Sequence, residues 1–425
     1  MSSRRKPKAP PARTQTLTAR EIGARGDAVF DGPVFAPGLL PGEQAQLEIR
    51  GERGRVVERL NTSPDRVAPF CPVAGTCGGC ALQHFEESAY QAWKRSLAET
   101  ALQRARIDAE LAPLLDAHGQ GRRRMTFHAA RIGRKFVFGF HERAGERIAD
   151  LQDCPVATPA IRRAVPALRA VAEAALPGEG AIDLAVADCD PGLDVSIGGV
   201  RKIDLALREA IAAAAATHGW SRVHVNREPV IEVSAPGVSF GDVKVTPPPG
   251  GFLQATEAGE AALAAAVMKA ASLAPGKLDR AVDLYAGSGA FALRLARICK
   301  VTAVEGEAGP LNALRTAANR TPGLKPVDAR VRDLAREPLS VGELEGASLV
   351  VLDPPRAGAK AQMERLADSL VPVVCSISCN PATFARDAAI LIEGGYRLAG
   401  PILPVDQFKW TGHLELAAVF VRKGV

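Results

Sequence analysis

A cysteine stands at the end of an apolar, alternating stretch in the last quarter of the chain. The stretch Val373–Pro381 (VVCSISCNP) predicts a β-strand, and Asn380-Pro381 ends it directly after Cys379. Cys375 lies further back and is expected to be buried inside the strand. A thiolate at Cys379 would be a nucleophile at a strand end, where ligands of open α/β sheets bind.

A glycine turn earlier in the chain would face the same edge of that sheet. Arg280–Leu284 predicts a short strand, the turn Ala286–Gly289 follows it, and the residues up to Ala296 have a helical pattern. Gly287 and Gly289 would let the backbone approach a ligand, because neither carries a Cβ. A third glycine is missing, so a dinucleotide pyrophosphate site is not implied.

Two acidic residues follow at the ends of the next predicted strands. Val301–Glu305 (VTAVE) carries Glu305 at its tip, where a carboxylate can accept both hydroxyls of an adenosine ribose. Leu349–Arg356 (LVVLDPPR) predicts the fourth strand and carries Asp353 at its end. This ordered set resembles the class I S-adenosylmethionine-dependent methyltransferases. The resemblance implies an α/β, Rossmann-like fold with S-adenosyl-L-methionine as the cofactor.

A cysteine beside a methyl donor suggests one specific chemistry. Carbon 5 of a pyrimidine is too weak a nucleophile to attack a sulfonium methyl group. Addition of a thiolate to carbon 6 makes carbon 5 a carbanion equivalent, which can attack. A base must then remove the carbon-5 proton so that the thiol can leave. The segment Asp406–Glu415 (DQFKWTGHLE) supplies candidate carboxylates.

A second set of cysteines lies far from this strand. Cys71, Cys77 and Cys80 form a C-x5-C-x2-C pattern with two glycines before the last cysteine, and Cys154 stands in a similar Cys-Pro context. Four thiolates suit zinc or a [4Fe-4S] cluster. Three local ligands and one remote ligand favour the iron–sulfur cluster, while zinc or buried thiols remain alternatives.

The elements that must position these residues belong to a chain of 425 residues, long enough for two or three domains. The net charge is +6, and Met1–Arg13 holds five basic residues, three prolines and no acid. This segment predicts a disordered basic arm, which suggests an anionic partner. No stretch is apolar enough to span a membrane, and no signal peptide opens the chain, so a cytoplasmic protein is expected.

Three domains are expected after the arm. Residues 14–64 contain short alternating runs that predict a small barrel resembling the TRAM type, an OB-like RNA-binding module. Residues 65–250 predict a central α+β domain that includes the cysteine loop. Its strands Met125–Ile132 and Lys135–His141 interleave basic and aromatic residues, which predicts a basic face for RNA, with an ordinary solvated face as the alternative. Residues 251–425 form the methyltransferase domain.

Taken together, the cysteine set and the segments LYAGSG, LDPPR, SISCNPATFARD and D-x-F-x-x-T-x-H-x-E resemble the RNA 5-methyluridine methyltransferases. More narrowly, they resemble the iron–sulfur branch that acts on 23S ribosomal RNA. The resemblance implies Cys379 as the nucleophile and Glu415 as the proton acceptor, in a monomer that binds RNA. It implies that a [4Fe-4S] cluster is held by Cys71, Cys77, Cys80 and Cys154. The implied donor and base pocket comprises, besides Gly287 and Gly289, the residues Gln254, Tyr285, Glu305, Asp333 and Asp353.

Other functions compete with this interpretation. The RNA could be a transfer RNA, or the chain could be a non-catalytic RNA-binding iron–sulfur protein. Methyltransferases that act on exocyclic amines need an aromatic residue after the paired prolines, whereas Arg356 stands here. DNA carbon-5 enzymes place the nucleophile after the fourth strand, whereas Cys379 follows the fifth.

Overall fold

The structure is a computed structural model that describes residues 12–143 and 145–424. The chain forms two compact units. One comprises the chain up to Leu97 with His141–Ala149 and Lys409–Gly412, and the other comprises Ala98–Phe140, Asp150–Phe408 and the residues from His413 onwards. Most of the predicted basic arm, residues 1–11, lies outside the described residues. Over the described ranges, no helix is both long enough and apolar enough to cross a membrane.

The first unit is built on a six-stranded sheet with its own apolar core. Its order is β1-β5-β6-β4-β3-β2. Phe30, Leu47 and Ile49 lie in the core, and the buried Glu43 accepts two hydrogen bonds from Arg66. The strands and the helix that follows are β1 (Arg13–Thr18), β2 (Glu21–Ile22), β3 (Asp27–Val29), β4 (Phe35–Pro37), β5 (Gln44–Arg50), β6 (Arg53–Arg59) and α1 (Glu87–Arg104).

The middle of the chain forms a seven-stranded sheet and a separate hairpin. The sheet has the order β10-β9-β8-β11-β12-β13-β14, and β15 pairs with β16. The elements are β7 (Leu115–Asp116), β8 (Arg124–Ile132), β9 (Lys135–His141), β10 (Ile148–Asp150), α2 (Pro159–Ala175), β11 (Gly180–Ala187), β12 (Asp194–Gly198), α3 (Leu205–His218), β13 (Arg222–Val225), β14 (Glu228–Glu232), β15 (Val238–Phe240) and β16 (Val243–Val245).

Aromatic rings of β8 and β9 lie in the core of the second unit. Phe127 and Phe138 are fully buried, and their rings stack with centroids 5.0 Å apart. Helix α2 packs against β8 and β11 and covers this face. Arg131 is bound by the backbone oxygen of Leu176 and the carboxylate of Glu173. Strand alternation alone does not reveal which face a helix covers, and the basic face for RNA stays a prediction.

The last part of the chain is the α/β sheet that the sequence predicts. Strands β19-β18-β17-β20-β21 are mutually parallel, and β24, β23 and β7 continue the sheet, with β22 paired to β24. The elements are α4 (Glu257–Ser272), β17 (Arg280–Leu284), α5 (Ala292–Leu295), β18 (Lys300–Glu305), α6 (Ala308–Arg320), β19 (Val327–Val331), α7 (Val341–Leu344), β20 (Leu349–Leu352), α8 (Lys360–Ala367), β21 (Val373–Ser378), α9 (Pro381–Glu393), β22 (Tyr396–Leu398), β23 (Leu403–Asp406) and β24 (Glu415–Arg422).

Burial explains why these strands have nearly continuous apolar sequences. Every residue of β20 and β21 is buried, as expected for parallel strands covered on both faces. The helix after the glycine turn, α5, has only four residues, which is shorter than the sequence pattern suggests. The chain must return to β18 at Lys300, and the apolar side chains Leu293 and Leu295 point into the core on the way.

Candidate active site

The glycine turn after β17 combines a tight fold with an open face. Tyr285, Gly287 and Gly289 all have positive φ, at 62°, 53° and 98°. A Cβ on Gly289 would lie 2.8 Å from the side chain of Leu314, so packing requires glycine there. A Cβ on Gly287 would meet nothing within 4 Å. The backbone at Gly287 therefore borders free space, as the sequence predicts for a ligand site.

Carboxylates surround this turn. Glu305, at the end of β18, accepts a hydrogen bond from the Gly287 N–H at 2.9 Å through Oε2. Burial, together with the charges of Asp387, Asp333 and Glu305, raises the pKa of Tyr285 to about 12. Glu305, Asp333 and Tyr285 thus share one electrostatic environment at neighbouring strand ends, where the sequence predicts the donor pocket.

Cys379 lies directly after β21, at the carboxyl end of the strand. The Asn380 side chain caps α9 by accepting the Ala382 N–H at 3.1 Å, and its amide donates to the Arg356 oxygen at 3.2 Å. These bonds fix the turn that carries the thiol. Cys375 is fully buried within the strand, which confirms the prediction that it plays no part at the surface.

The surroundings of Cys379 favour the protonated thiol. Burial, together with the carboxylates of Glu415 and Asp353, raises the pKa of its thiol to about 11. Burial likewise raises the pKa of Asp353 to about 7, while the hydrogen bond from Gln254 acts in the opposite direction. The thiol therefore needs a proton acceptor before it can attack, and both nearby acceptors are carboxylates.

A chain of hydrogen bonds joins these two carboxylates. Gln254 Nε2 donates to Asp353 Oδ2 at 2.9 Å, and Gln407 Nε2 donates to Gln254 Oε1 at 2.7 Å. The same Gln407 nitrogen donates to Glu415 Oε1 at 3.1 Å. Gln254, Gln407 and Glu415 are 7%, 1% and 4% exposed. Glu415 lies between the fully buried Leu414 and Leu416, as the sequence suggests.

Gln254 is held in place by a buried group of charges. Arg123 Nε donates to the Gln254 backbone oxygen at 3.1 Å, and its guanidinium also binds Glu260. Arg294 binds the other oxygen of Glu260 at 2.8 Å. Arg123 stands directly before β8, where it is buried and paired with Glu260, and its bond to the Gln254 backbone holds that residue in the site.

The structure therefore brings together Gln254, Asp353, Cys379 and Glu415, four residues predicted from separate parts of the sequence. Sequence reasoning missed Gln407, although it stands in the segment that supplies Glu415. Its partner Gln254 is 153 residues away, and nothing local marks that contact.

The cysteine loop of the first unit has a different character. Gln83 Oε1 accepts the Cys71 N–H at 3.2 Å, and the Gly79 N–H points to Cys77 Sγ at 3.4 Å. Cys77 and Cys80 line a cavity of about 240 Å³. His84 lines it too, and its buried Nε2 has no hydrogen-bond partner among the described residues.

The side chains of the cysteine loop meet some of the requirements for a metal or cluster bound by thiolates. The loop supplies cysteine thiols, an unpartnered imidazole nitrogen and a backbone N–H aimed at sulfur. Within residues 12–143 and 145–424, however, no three His, Cys, Asp or Glu side chains are gathered so as to hold a metal ion. Cys154 is buried in the second unit.

Comparison with known proteins identifies the family. An uncharacterized RNA methyltransferase of Rhizobium meliloti is 40% identical over 414 residues, which cover 95% of this chain and 99% of that protein. The 23S rRNA (uracil(1939)-C(5))-methyltransferase of Chromohalobacter salexigens is 34% identical over 421 residues, covering 92% of this chain and 84% of that protein. The model of the tRNA (uracil-5-)-methyltransferase family matches residues 330–423. The chain belongs to the RNA (uracil-5-)-methyltransferase family.

A solved structure shows the same fold. The tRNA (uracil-54, C5)-methyltransferase of Pyrococcus abyssi, in complex with S-adenosyl-L-homocysteine, superposes with a TM-score of 0.73 at 22% sequence identity. The match covers 96% of this chain and 99% of that one. It confirms the class I methyltransferase fold, and the family identifies the chain as an RNA methyltransferase enzyme.

Proposed function

We propose that this chain transfers a methyl group from S-adenosyl-L-methionine to carbon 5 of a uridine in RNA, most specifically in 23S ribosomal RNA. The carrying observation is the hydrogen-bonded set of Asp353, Gln254, Gln407 and Glu415 beside the thiol of Cys379. The 23S assignment is supported by the Chromohalobacter relative, whose name specifies that RNA. A transfer RNA target is the alternative, since the matching family model bears a transfer-RNA name.

The thiol of Cys379, a carboxylate base and the methyl donor account for every proton, bond and leaving group of the reaction. Cys379 loses its proton to a carboxylate and adds to carbon 6, and the electron pair moves to carbon 5. Carbon 5 takes the methyl group from the sulfonium, and S-adenosylhomocysteine leaves. A base then removes the carbon-5 proton, the 5,6 double bond re-forms, and the Cys379 thiolate is expelled.

Glu415 is the proposed base for the last step. Its carboxylate is buried and acts on the environment of Cys379. Asp406 is the rival, and its Oδ1 accepts the Phe408 N–H at 3.1 Å within its own turn. Glu415 instead has a side-chain donor, Gln407, that also contacts the base-pocket residue Gln254.

The donor is proposed to bind beside the glycine turn. Glu305 would accept the ribose hydroxyls, since a carboxylate oxygen already bound to one backbone N–H still has lone pairs to offer. The open face of Gly287 supports close approach of the ligand. Gly289, Tyr285, Asp333, Asp353 and Gln254 would line the remainder of the donor and base pocket.

The cysteine loop is proposed to hold a [4Fe-4S] cluster with Cys71, Cys77, Cys80 and Cys154 as ligands. Support comes from the spacing of the thiols, the Gly79 N–H that points to Cys77 Sγ and the unpartnered His84 nitrogen in the cavity that Cys77 and Cys80 line. When bound, the cluster would be held by metal–thiolate bonds. The residues 14–64 are proposed to be a TRAM-like barrel for RNA within the same scheme.

The test is covalent trapping on RNA that contains 5-fluorouridine. With this RNA and S-adenosyl-L-methionine, the wild-type enzyme should form an adduct that survives a denaturing gel, because fluorine cannot leave as a proton does. The adduct requires both the thiol addition and the methyl transfer. No adduct, with RNA binding intact, would favour a non-catalytic RNA-binding protein.

The target RNA is tested separately. Nucleosides from 23S ribosomal RNA and from transfer RNA of cells lacking the gene should be compared by mass spectrometry. Loss of 5-methyluridine from the ribosomal fraction supports the proposal, whereas loss from the transfer-RNA fraction alone would replace it with the alternative target.

A further inference from the structure

Gln407 occupies a place in the site that the proposed reaction does not yet use. Its single side-chain nitrogen contacts Gln254 Oε1 at 2.7 Å and Glu415 Oε1 at 3.1 Å. We propose that Gln407 is a positioning residue that holds Glu415 ready for removal of the carbon-5 proton, and this inference rests on the proposed function.

The hydrogen-bond pattern leaves little freedom in how these side chains are oriented. Gln407 turns its NH₂ towards Glu415 Oε1, and Gln254 turns its NH₂ towards Asp353 Oδ2, where the carboxyl oxygens accept. The Gln254 oxygen then remains as the acceptor for the second N–H of Gln407. Each amide orientation is set by a carboxylate at one end of the chain.

Because Gln407 and Glu415 are buried, loss of the hydrogen bond between them is costly. Gln407 is 1% exposed and Glu415 is 4% exposed, so water cannot readily replace a lost donor. A buried carboxylate without donors is costly, and donation to the charged form favours that form. The ionised form is the one that can accept a proton from carbon 5. Gln407 thereby favours both the rotamer and the charge state that the last step needs.

Other titratable groups lie near Glu415 and Cys379. Asp353 and Cys379 face the same site, and in the last step the Cys379 sulfur is bound to carbon 6 and has no proton to donate. Asp406 is on the adjacent strand β23, where Val405 pairs with Glu415, and it is also an acceptor. The guanidinium of Arg356 acts on Cys379 from the turn before α8.

Two RNA substrates distinguish a slower last step from a loss of folded, competent enzyme. RNA with 5-fluorouridine traps the enzyme before proton removal, so it counts competent active sites in every variant, whatever fraction has folded. Ordinary uridine RNA, with a labelled methyl group, then reports how fast each competent site releases its product. The rate of product release divided by the number of 5-fluorouridine adducts therefore measures the last step alone.

Gln407→Met should keep the side-chain length and remove both N–H donors. We expect the 5-fluorouridine adduct to form as in wild type, and product release per competent site to fall about 10- to 100-fold, the effect of losing a hydrogen bond to a charged group. Labelled, methylated RNA attached to Cys379 should accumulate.

The matched control is Gln362→Met. Gln362 is equally buried and makes two hydrogen bonds to the backbone of Leu339, at 2.8 and 3.2 Å, away from the site. Gln362→Met should lower the free energy of unfolding without changing the rate of product release per competent site. Release at the wild-type rate in Gln407→Met, or an equal loss of both reactions, would overturn the positioning role. Failure of wild type to form the 5-fluorouridine adduct would instead overturn the proposed function.

Discussion

Two regions of this molecule carry predicted chemistry, and they are built differently. At the carboxyl edge of the nine-stranded sheet, Gln254, Asp353 and Glu415 are joined by side-chain hydrogen bonds around Gln407. In the cysteine loop, the contacts involve the backbone, such as the Gly79 N–H to Cys77 Sγ. The packed strands bring their ends to one edge of the sheet, and side-chain hydrogen bonds then orient the residues there. A loop has no such register, and its thiols are expected to depend on the group they bind.

The first prediction tests the sheet region at its nucleophile. Cys379→Ala should abolish methyl transfer, by at least about four orders of magnitude, since removal of a covalent nucleophile leaves only binding effects. S-adenosyl-L-methionine should still bind, because Glu305 and Gly287 lie on other strand ends. Calorimetry and single-turnover assays measure the two quantities. Turnover at the wild-type rate would refute covalent catalysis by Cys379.

The second prediction tests the loop region. Cys77→Ser should lower the yield of soluble protein and remove brown colour and bound iron, measured by visible absorption and metal analysis. Cys299→Ser is the control, because Cys299 is buried in the second unit and should leave the colour unchanged. Colourless wild-type protein with stoichiometric zinc would show that the loop holds zinc instead of a cluster.

The third prediction concerns the buried carboxyl group of Asp283, within strand β17. Burial raises the pKa of Asp283 to about 8, so the folded state keeps a proton that the unfolded state loses. Stability should therefore fall as the pH rises from about 4 to about 8, by up to about 1.4 kcal/mol per pH unit. Asp283→Asn should flatten this slope in urea unfolding at about pH 5.5 and 7.5.

The exposed Asp279 provides the matched control for that experiment. Its side chain is solvent-accessible and lies next to the same strand, so Asp279→Asn should leave the slope as in wild type. An Asp283→Asn variant that loses stability with pH as steeply as wild type would show that other groups carry the dependence, with Asp353 as the first candidate.

The sequence predicts the sheet region well because its signals are local. An apolar run followed by a turn residue placed Cys379, Asp353 and Glu305 at strand ends, and the family resemblance added Gln254 and Glu415. The contacts that orient these residues join distant segments: Gln407 to Gln254 over 153 positions and Arg123 to Glu260 over 137. Periodicity carries no information about such pairs, and it also failed to show that Phe127 faces a helix.

The most direct test of the account is Glu415→Gln with ordinary uridine RNA and labelled S-adenosyl-L-methionine. The variant should add Cys379 to carbon 6 and transfer the methyl group, then stall, because an amide cannot accept the carbon-5 proton. A denaturing gel should show labelled RNA attached to the protein at a level far above wild type. Normal turnover, or loss of activity with no attached RNA, would contradict the role of Glu415 and make Asp406→Asn the next variant.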